Sequence, residues 1–142
     1  MQKFLIFVSE QWLLITLLAA AVATLAWLEN RRAGKSISTH ELITLVNRDQ
    51  AVIIDLRDKA SFDSGHIVGA TNVPFSQWQS QHATGGNTAL QQHGDKSLVL
   101  VCKLGQQSSH VAKRIQTENG PTVYRLAGGL SEWQHAQMPL VK

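Results

Sequence analysis

The sequence predicts an α/β protein in which helices cover both faces of a parallel β-sheet, preceded by one transmembrane helix. Apolar, largely β-branched runs at residues 51–56 and 97–101 have the unbroken pattern of strands that are buried on both faces. Segments with helical spacing separate these runs, and strands that alternate with helices favour a parallel sheet. A long uncharged stretch near the amino terminus predicts the transmembrane helix.

This uncharged stretch runs from residue 12 to residue 28, and Thr16 and Thr24 are its main polar members. Its 17 residues span roughly 25 Å as a helix, the short end of a bilayer crossing, and residues 4–8 could extend it. Trp12 and Trp27 near its ends are typical of membrane interfaces. A signal peptide and a buried core helix are the alternatives. We predict an anchor over residues 1–30.

The charges that flank the anchor predict its orientation. Arg31, Arg32 and Lys35 follow the span, whereas Lys3 precedes it together with Glu10. Because loops rich in Lys and Arg stay in the cytoplasm, we expect the longer carboxyl-terminal part to face the cytoplasm from the inner membrane. Residues 31–37 are predicted to be a short basic linker, and residues 38–142 the soluble domain.

Composition excludes several classes of function. The chain has 13 Lys and Arg against 10 Asp and Glu, but residues 36–142 have nine against eight, so the basic excess lies next to the membrane. Such a distribution suits anionic lipid headgroups and does not predict nucleic-acid binding. The single cysteine excludes an internal disulfide and a cysteine-based zinc site. The six histidines are scattered, so neither a metal site nor a cofactor is predicted.

The soluble domain contains recognisable helix and strand signals in order. A capping box formed by Ser38 and Glu41 predicts a helix over residues 39–47. Gly65 closes a short helix that begins at Asp58. The further predicted elements are an extended piece at 66–74, a helix at 75–82, a loop at 83–87, helices at 88–93 and 107–119, a strand at 122–126 and a last helix at 130–135.

Two charged residues, Asp55 and Arg57, lie at the end of the first buried strand. Ligand sites in open α/β sheets occur at the carboxyl ends of strands. The competing interpretation, which we favour, is a structural ion pair that supports the strand end.

The candidate reactive residue is Cys102, which stands between the strand at 97–101 and the helix that follows. A cysteine at this junction meets free backbone N–H groups and the positive end of a helix dipole, and both favour a thiolate. Gly105 allows the loop to curl so that N–H groups converge on one anion. The predicted active loop comprises Cys102, Lys103, Leu104, Gly105, Gln106, Gln107 and Ser108.

Four blocks of the soluble part resemble the single-domain rhodanese, or sulfurtransferase, family. The blocks are Asp55-Leu56-Arg57, the run from Phe62 through Gly65-His66-Ile67 to Pro74, the loop from Cys102 to Ser108, and Leu126-Ala127-Gly128-Gly129 with Trp133. The resemblance covers residues 38–140 as a whole, and the anchor makes the chain similar to the membrane-anchored rhodaneses of Gram-negative bacteria.

The resemblance implies a persulfide mechanism in a rhodanese-like fold. Cys102 would attack the outer sulfur of a donor, hold it as a persulfide and pass it to a thiophilic acceptor. Lys103 would add a positive charge, and Ser108 would donate a hydrogen bond from the first helical turn. The implied partners are a small sulfur donor or a persulfide-carrying protein, the lipid bilayer and an inner-membrane protein; no cofactor is implied.

One residue departs from the family pattern, because Gln107 occupies the place where the family commonly has arginine. The change removes a charge and a bidentate anion partner from the loop. Charge-assisted hydrogen bonds contribute about 1.5–3 kcal/mol, so a dianion such as thiosulfate is expected to bind tens of times more weakly. A persulfide donor suits the less cationic loop better.

Two other functions compete with sulfur transfer. Phosphatases of related fold carry arginine six residues after the cysteine, but that position is Ser108 here, so the main stabiliser of phosphoryl transfer is missing. A catalytically weak or inactive docking module, tethered to the membrane, is the second alternative. Loss of arginine at position 107 favours it, and retention of Cys102 weighs against it.

Overall fold

The structure is a computed structural model that describes residues 1, 3, 6, 10–32, 34–83, 90, 92–117 and 121–142. It divides into two compact units, residues 1–32 and residues 33–142. Most of the predicted helix extension at 4–8, most of the loop at 83–87 and half of the predicted helix at 88–93 lie outside the described residues.

The first unit contains one long helix, α1 (Trp12–Arg32). The segment Trp12–Arg31 has a mean hydropathy of 1.9 and no buried residue, so it differs from the core helix of a soluble protein. The hydroxyls of Thr16 and Thr24 donate to the carbonyls of Leu13 and Ala20 at 3.0 and 2.7 Å, which satisfies them inside the helix. The length and composition of α1 therefore fit a membrane crossing, although a signal sequence near an amino terminus meets the same criteria.

The second unit is built on a five-stranded parallel sheet, which confirms the predicted fold class. The strand order is β1-β5-β4-β2-β3. The strands are β1 (Lys35–Ile37), β2 (Ala51–Asp55), β3 (Thr71–Asn72), β4 (Ser97–Val101) and β5 (Val123–Leu126). The helices are α2 (Thr39–Asn47), α3 (Lys59–Ser64), α4 (Phe75–Ala83), α5 (Gln106–Thr117) and α6 (Gly129–His135).

Apolar clusters cover both faces of this sheet, because consecutive strand residues point to opposite sides. One cluster joins Leu98 and Leu100 of β4 to Trp78 of α4 and Val111 of α5. The other cluster joins Val99 and Val101 to α2 and α6. β4 and β2 are almost completely buried at the centre of the sheet, as their unbroken apolar pattern predicts.

The capping box predicted at α2 is present. The backbone N–H of Glu41 donates to Ser38 Oγ at 3.3 Å, and the N–H of Ser38 donates to Glu41 Oε2 at 2.8 Å. These bonds satisfy two backbone donors that the first helical turn would otherwise leave unpaired. The predicted limits of α2, residues 39–47, match the observed ones.

The prediction that residues 31–37 form a linker is wrong at both ends. Helix α1 continues through Arg32, since arginine is a good helix former. Lys35–Ile37 forms β1, which pairs with β5 at the edge of the sheet. Three residues carry too little pattern to indicate a strand, and the pairing partner lies almost ninety residues away in the sequence.

Candidate active site

The loop after β4 places Cys102 between the sheet and α5. Cys102 is only 2% exposed and packs within the apolar cluster on the α5 face. Gly105 adopts φ 93°, a backbone conformation that other residues rarely accept, and α5 begins at Gln106 directly after it. The loop therefore turns sharply around the sulfur.

Two residues of this loop contact the sulfur itself. The N–H of Gly105 donates to Cys102 Sγ at 3.0 Å, and Ser108 Oγ lies 3.5 Å from Sγ. Ser108 Oγ also donates to the carbonyl of Gly105 at 3.0 Å, which fixes the hydroxyl beside the sulfur. The N–H of Gly105 is a donor held in place at the sulfur, and such a donor stabilises the negative charge that a nucleophilic thiolate carries.

The amino terminus of α6 holds the opposite side of the loop. The N–H groups of Leu130 and Ser131 donate to the carbonyls of Cys102 and Lys103 at 2.8 and 3.1 Å. A Cβ at Gly129 would lie 2.4 Å from the Cys102 carbonyl oxygen and 2.7 Å from that of Lys103. Only glycine leaves room for these bonds. With its carbonyls drawn towards α6, the loop is free to turn the N–H of Gly105 towards the sulfur.

Arg125 and Ser109 also support the loop, which the sequence analysis did not predict. Arg125 on β5 donates through Nη1 to Ser109 Oγ at 2.8 Å, and Ser109 Oγ donates to the Gly105 carbonyl at 2.8 Å. Val123 and Arg125 share one face of β5 by strand alternation, and the buried Val123 belongs to the cluster on the α5 face. The alternation of β5 residues could have indicated from the sequence that Arg125 faces α5. That Arg125 lies next to Ser109 is known only from the tertiary structure.

Asp55 and Arg57 form the strand-end ion pair that was favoured in the sequence. Arg57 Nη2 lies 2.8 Å from Asp55 Oδ2, and Arg57 Nε lies 3.1 Å from both carboxylate oxygens. Arg57 Nη2 also donates to the Gly65 carbonyl at 2.8 Å, and the Asn72 amide donates to the carbonyls of Asp55 and Arg57 at 3.1 and 2.8 Å. These bonds tie the end of β2 to the turn that precedes β3.

A cleft of about 350 Å³ lies where these segments meet. It is lined by Leu56, Arg57, Asp58, Ser61, Pro74, Phe75, Ser76, Lys103 and Gln107. The carboxyl ends of β2 and β4 meet at one edge of the parallel sheet, which is why chemistry-bearing residues from distant parts of the sequence converge there.

The predicted loop residues divide into three groups. Gly105 and Ser108 are buried beside the sulfur. Lys103 and Gln107 line the cleft. Leu104 and Gln106 are exposed at the surface and are not among the cleft-lining residues.

Sequence reasoning missed the opposite wall of this cleft, which includes Asp58, Ser61 and Phe75. Asp58 caps α3, with its carboxylate accepting from Ser61 N–H at 3.0 Å and from Ser61 Oγ at 2.7 Å. The Ser61 hydroxyl, followed by the Ser61 N–H, lowers the pKa of Asp58 below its usual 3.8, so the group is anionic at neutral pH. The position of Asp58 directly after Arg57, near the carboxyl end of β2, could have indicated from the sequence that it lies at this site.

Comparison with known proteins identifies the family. The sequence profile of the Rhodanese-like domain family matches residues 38–136. The chain belongs to this rhodanese-like family. It is 33% identical over 102 residues to the thiosulfate sulfurtransferase GlpE of Shewanella oneidensis, an alignment that covers 72% of this chain and 94% of GlpE. The uncharacterized protein YibN of Escherichia coli K12 is 29% identical over 134 residues, covering 94% of this chain and 89% of YibN.

Solved structures carry the same fold. A Rhodopseudomonas palustris protein of unknown function, described as a possible tyrosine phosphatase, superposes with a TM-score of 0.67. The two sequences are 24% identical, and the match covers 80% of this chain and 88% of that one. This likeness shows the fold alone. In the rhodanese-like domain described here, the sixth position after Cys102 is Ser108, which is fully buried beside the sulfur.

Within the described part of the chain, no group of three or more His, Cys, Asp or Glu side chains is arranged to hold a metal ion. The described cleft of the rhodanese-like domain is lined by hydroxyl-bearing side chains, an amide and Lys103, and the Cys102 thiol lies next to Lys103 in the loop, where it accepts from the Gly105 N–H.

Proposed function

We propose that this rhodanese-like protein is a membrane-anchored sulfurtransferase that forms a persulfide at Cys102 and passes the sulfane sulfur to a thiophilic acceptor. The single observation that carries the proposal is the construction of the loop. The N–H of Gly105 donates to the sulfur, while α6 holds the loop carbonyls on the other side. This arrangement serves a sulfur that carries negative charge during a reaction cycle.

The proposed reaction begins with the Cys102 thiolate. It attacks the outer sulfur of a donor, a new S–S bond forms, and the donor's own S–S bond breaks so that the leaving group takes the electron pair. The enzyme then carries Cys–S–SH, and an acceptor thiolate reverses the process by attacking the outer sulfur. No oxidant is needed, because the sulfane sulfur changes partners at constant total oxidation state.

The donor class follows from the cleft. Gln107 lines it at the position where the family commonly has arginine, so that wall offers an amide in place of a guanidinium. A dianion such as thiosulfate therefore gains less binding free energy at this wall, and a protein or low-molecular-weight persulfide is the proposed donor.

An intact-mass experiment tests this function. The full chain in detergent micelles is incubated with a persulfide donor or with thiosulfate, and the protein mass is measured. We expect an adduct of about 32 Da, the mass of one sulfur atom, which is absent from Cys102→Ser. An unmodified mass with all donors would overturn the proposal.

The same experiment decides the second candidate, a docking module without activity. The 2% exposure of Cys102 and the amide at Gln107 favour that candidate, because both restrict attack on a small anion. Loading of Cys102 followed by transfer to a small thiol would exclude it.

For location, we propose the inner membrane with the rhodanese-like domain in the cytoplasm. The support is the apolar helix α1 and the basic residues that follow its uncharged part. Tethering raises the local concentration of the domain near an inner-membrane acceptor protein without any new contact. An alkaline phosphatase fused after Lys142 is expected to be inactive, and an active, exported fusion would overturn this orientation.

A further inference from the structure

The cleft lined by Lys103, the residue that follows Cys102, presents both signs of charge to a bound molecule. Lys103 contributes an exposed ammonium from the active loop, and Asp58 contributes an exposed carboxylate from the start of α3. Arg57 also lines the cleft, but its guanidinium is engaged by the buried carboxylate of Asp55. With an amide at Gln107, the remaining charges of the lining balance to zero.

The carboxylate of Asp58 retains capacity for a ligand. It accepts two hydrogen bonds, both from Ser61, whereas a carboxylate offers about four lone-pair positions. Because Asp58 caps the helix with this same carboxylate, its position at the rim of the cleft is fixed before a ligand arrives.

The rest of the lining suits a short aliphatic chain with polar ends. Leu56, Pro74 and Phe75 provide apolar surface, and Ser76 and the amide of Gln107 provide hydrogen-bonding groups. The volume of about 350 Å³ is at the small end of ligand pockets, which fits a molecule of amino-acid size.

We propose that the preferred sulfur donor is a small persulfide that carries an amino-acid zwitterion, with its ammonium on Asp58 and its carboxylate on Lys103. This inference rests on the proposed function and adds the substrate class and a specificity-determining residue, Asp58. In the reaction R–S–SH + Cys102–S⁻ → R–S⁻ + Cys102–S–SH, the donor's S–S bond breaks and the amino-acid thiolate leaves with the electron pair. Thiosulfate is repelled by the Asp58 carboxylate and is attracted by only one unpaired cation of the described lining, Lys103.

The test compares two donors, cysteine persulfide and 3-mercaptopropionate persulfide, of which only the first carries an ammonium. Because the ammonium also makes the cysteine thiolate a better leaving group, the quantity compared between variants is the ratio of the two loading rates. The intact mass of the full chain is measured over time to monitor sulfur loading of Cys102, and second-order rate constants are determined at low salt. One exposed charge pair contributes a few tenths to one kcal/mol, so we expect Asp58 to raise the ratio of the cysteine persulfide rate to the 3-mercaptopropionate persulfide rate about two- to fivefold. The preference should shrink at high salt, because exposed charges are screened.

The decisive variant is Asp58→Asn, because asparagine caps helices as well as aspartate does. We expect it to lower the preference for cysteine persulfide about two- to fivefold and to raise loading from thiosulfate by a similar factor. The matched control is Asp63→Asn, which removes a carboxylate from the same helix but outside the cleft lining, where Asp63 pairs with Lys59. The control is expected to keep the wild-type donor preference.

The outcomes separate the two proposals. If no donor loads Cys102 in the wild-type chain, the sulfurtransferase function itself fails. If Cys102 loads but Asp58→Asn keeps the wild-type donor preference, or if Asp63→Asn changes it equally, the zwitterion inference is overturned while the sulfurtransferase function survives.

Discussion

Arg125 and Ser109 are hydrogen-bonded at 2.8 Å, although they lie on different elements, β5 and α5. Ser109 Oγ donates onward to the carbonyl of Gly105, the residue whose N–H reaches Cys102 Sγ. The backbone of Gly105 is therefore held from its carbonyl side by a chain of hydrogen bonds that starts at a cation, while its N–H faces the sulfur of Cys102. This relationship makes Arg125 a positioning residue for the loop.

The variant Arg125→Ala is expected to slow persulfide loading of Cys102 about tenfold, because a charge-assisted hydrogen bond contributes about 1.5–3 kcal/mol. Arg125→Lys should recover part of the rate. Loading rates and the thermal midpoint are measured together in the full chain. Arg48→Ala, which removes an exposed arginine at the end of α2, serves as the control. Wild-type loading by folded Arg125→Ala would refute the positioning role.

Gly129→Ala is expected to disrupt the loop. Its Cβ would lie 2.4 Å from the Cys102 carbonyl oxygen, and the residue has φ 63°. Gly69→Ala is the matched control, since Gly69 has φ 78° but nothing within 4 Å of its added Cβ. Both variants bear the backbone cost of about 1–2 kcal/mol, and only Gly129→Ala adds the clash. Urea unfolding should show a clearly larger loss for Gly129→Ala, and equal losses would contradict the contact with α6.

Gln107→Arg is expected to raise the rate of Cys102 loading from thiosulfate by about tenfold or more, because a guanidinium on the cleft wall gains a charge-assisted bond to the dianion. Gln79→Arg places the same charge on the exposed surface of α4, outside the cleft lining, and controls for net charge. If both variants behave alike, position 107 does not determine the thiosulfate rate.

Acid should weaken the start of α2. The Ser38 backbone N–H, followed by its hydroxyl, lowers the pKa of Glu41 below its usual 4.5. A carboxyl whose folded pKa is depressed adds stability above its unfolded pKa and loses it as the pH falls through the folded pKa. Thermal midpoints of wild type and Glu41→Gln should therefore differ at neutral pH and converge as the pH falls through the lowered folded pKa of Glu41.

Ser38→Ala provides the control for this acid effect, because it removes the hydroxyl cap and costs about 1 kcal/mol. The double variant Ser38→Ala with Glu41→Gln should lose less than the sum of the single losses, since both residues belong to one capping box. A constant gap between wild type and Glu41→Gln down to pH 3 would show that the ionised form of Glu41 does not stabilise the helix.

Much of the fold was readable because local signals agreed with the tertiary structure. The capping box at Ser38 and Glu41 gave the limits of α2, and the apolar run at 97–101 gave β4. The edge strand β1 was missed because its three residues acquire their structure only from pairing with β5. The rest of the candidate site was missed for the same kind of reason. Asp58 and Phe75 line the cleft and Arg125 supports the loop only because the folded sheet brings these distant segments together.

The sequence by itself determined the α/β class, the apolar amino-terminal segment and the position of the lone cysteine between a buried strand and a helix. The spacing of apolar residues, the capping residues and the turn glycines are local features, and each determines the structure of only a few neighbouring residues. Only the tertiary structure decided what surrounds Cys102. Parallel strands bring their carboxyl ends to one edge, so the groups that hold the loop and line its cleft come from the segment after β2 and from α3, α4, β5 and α6.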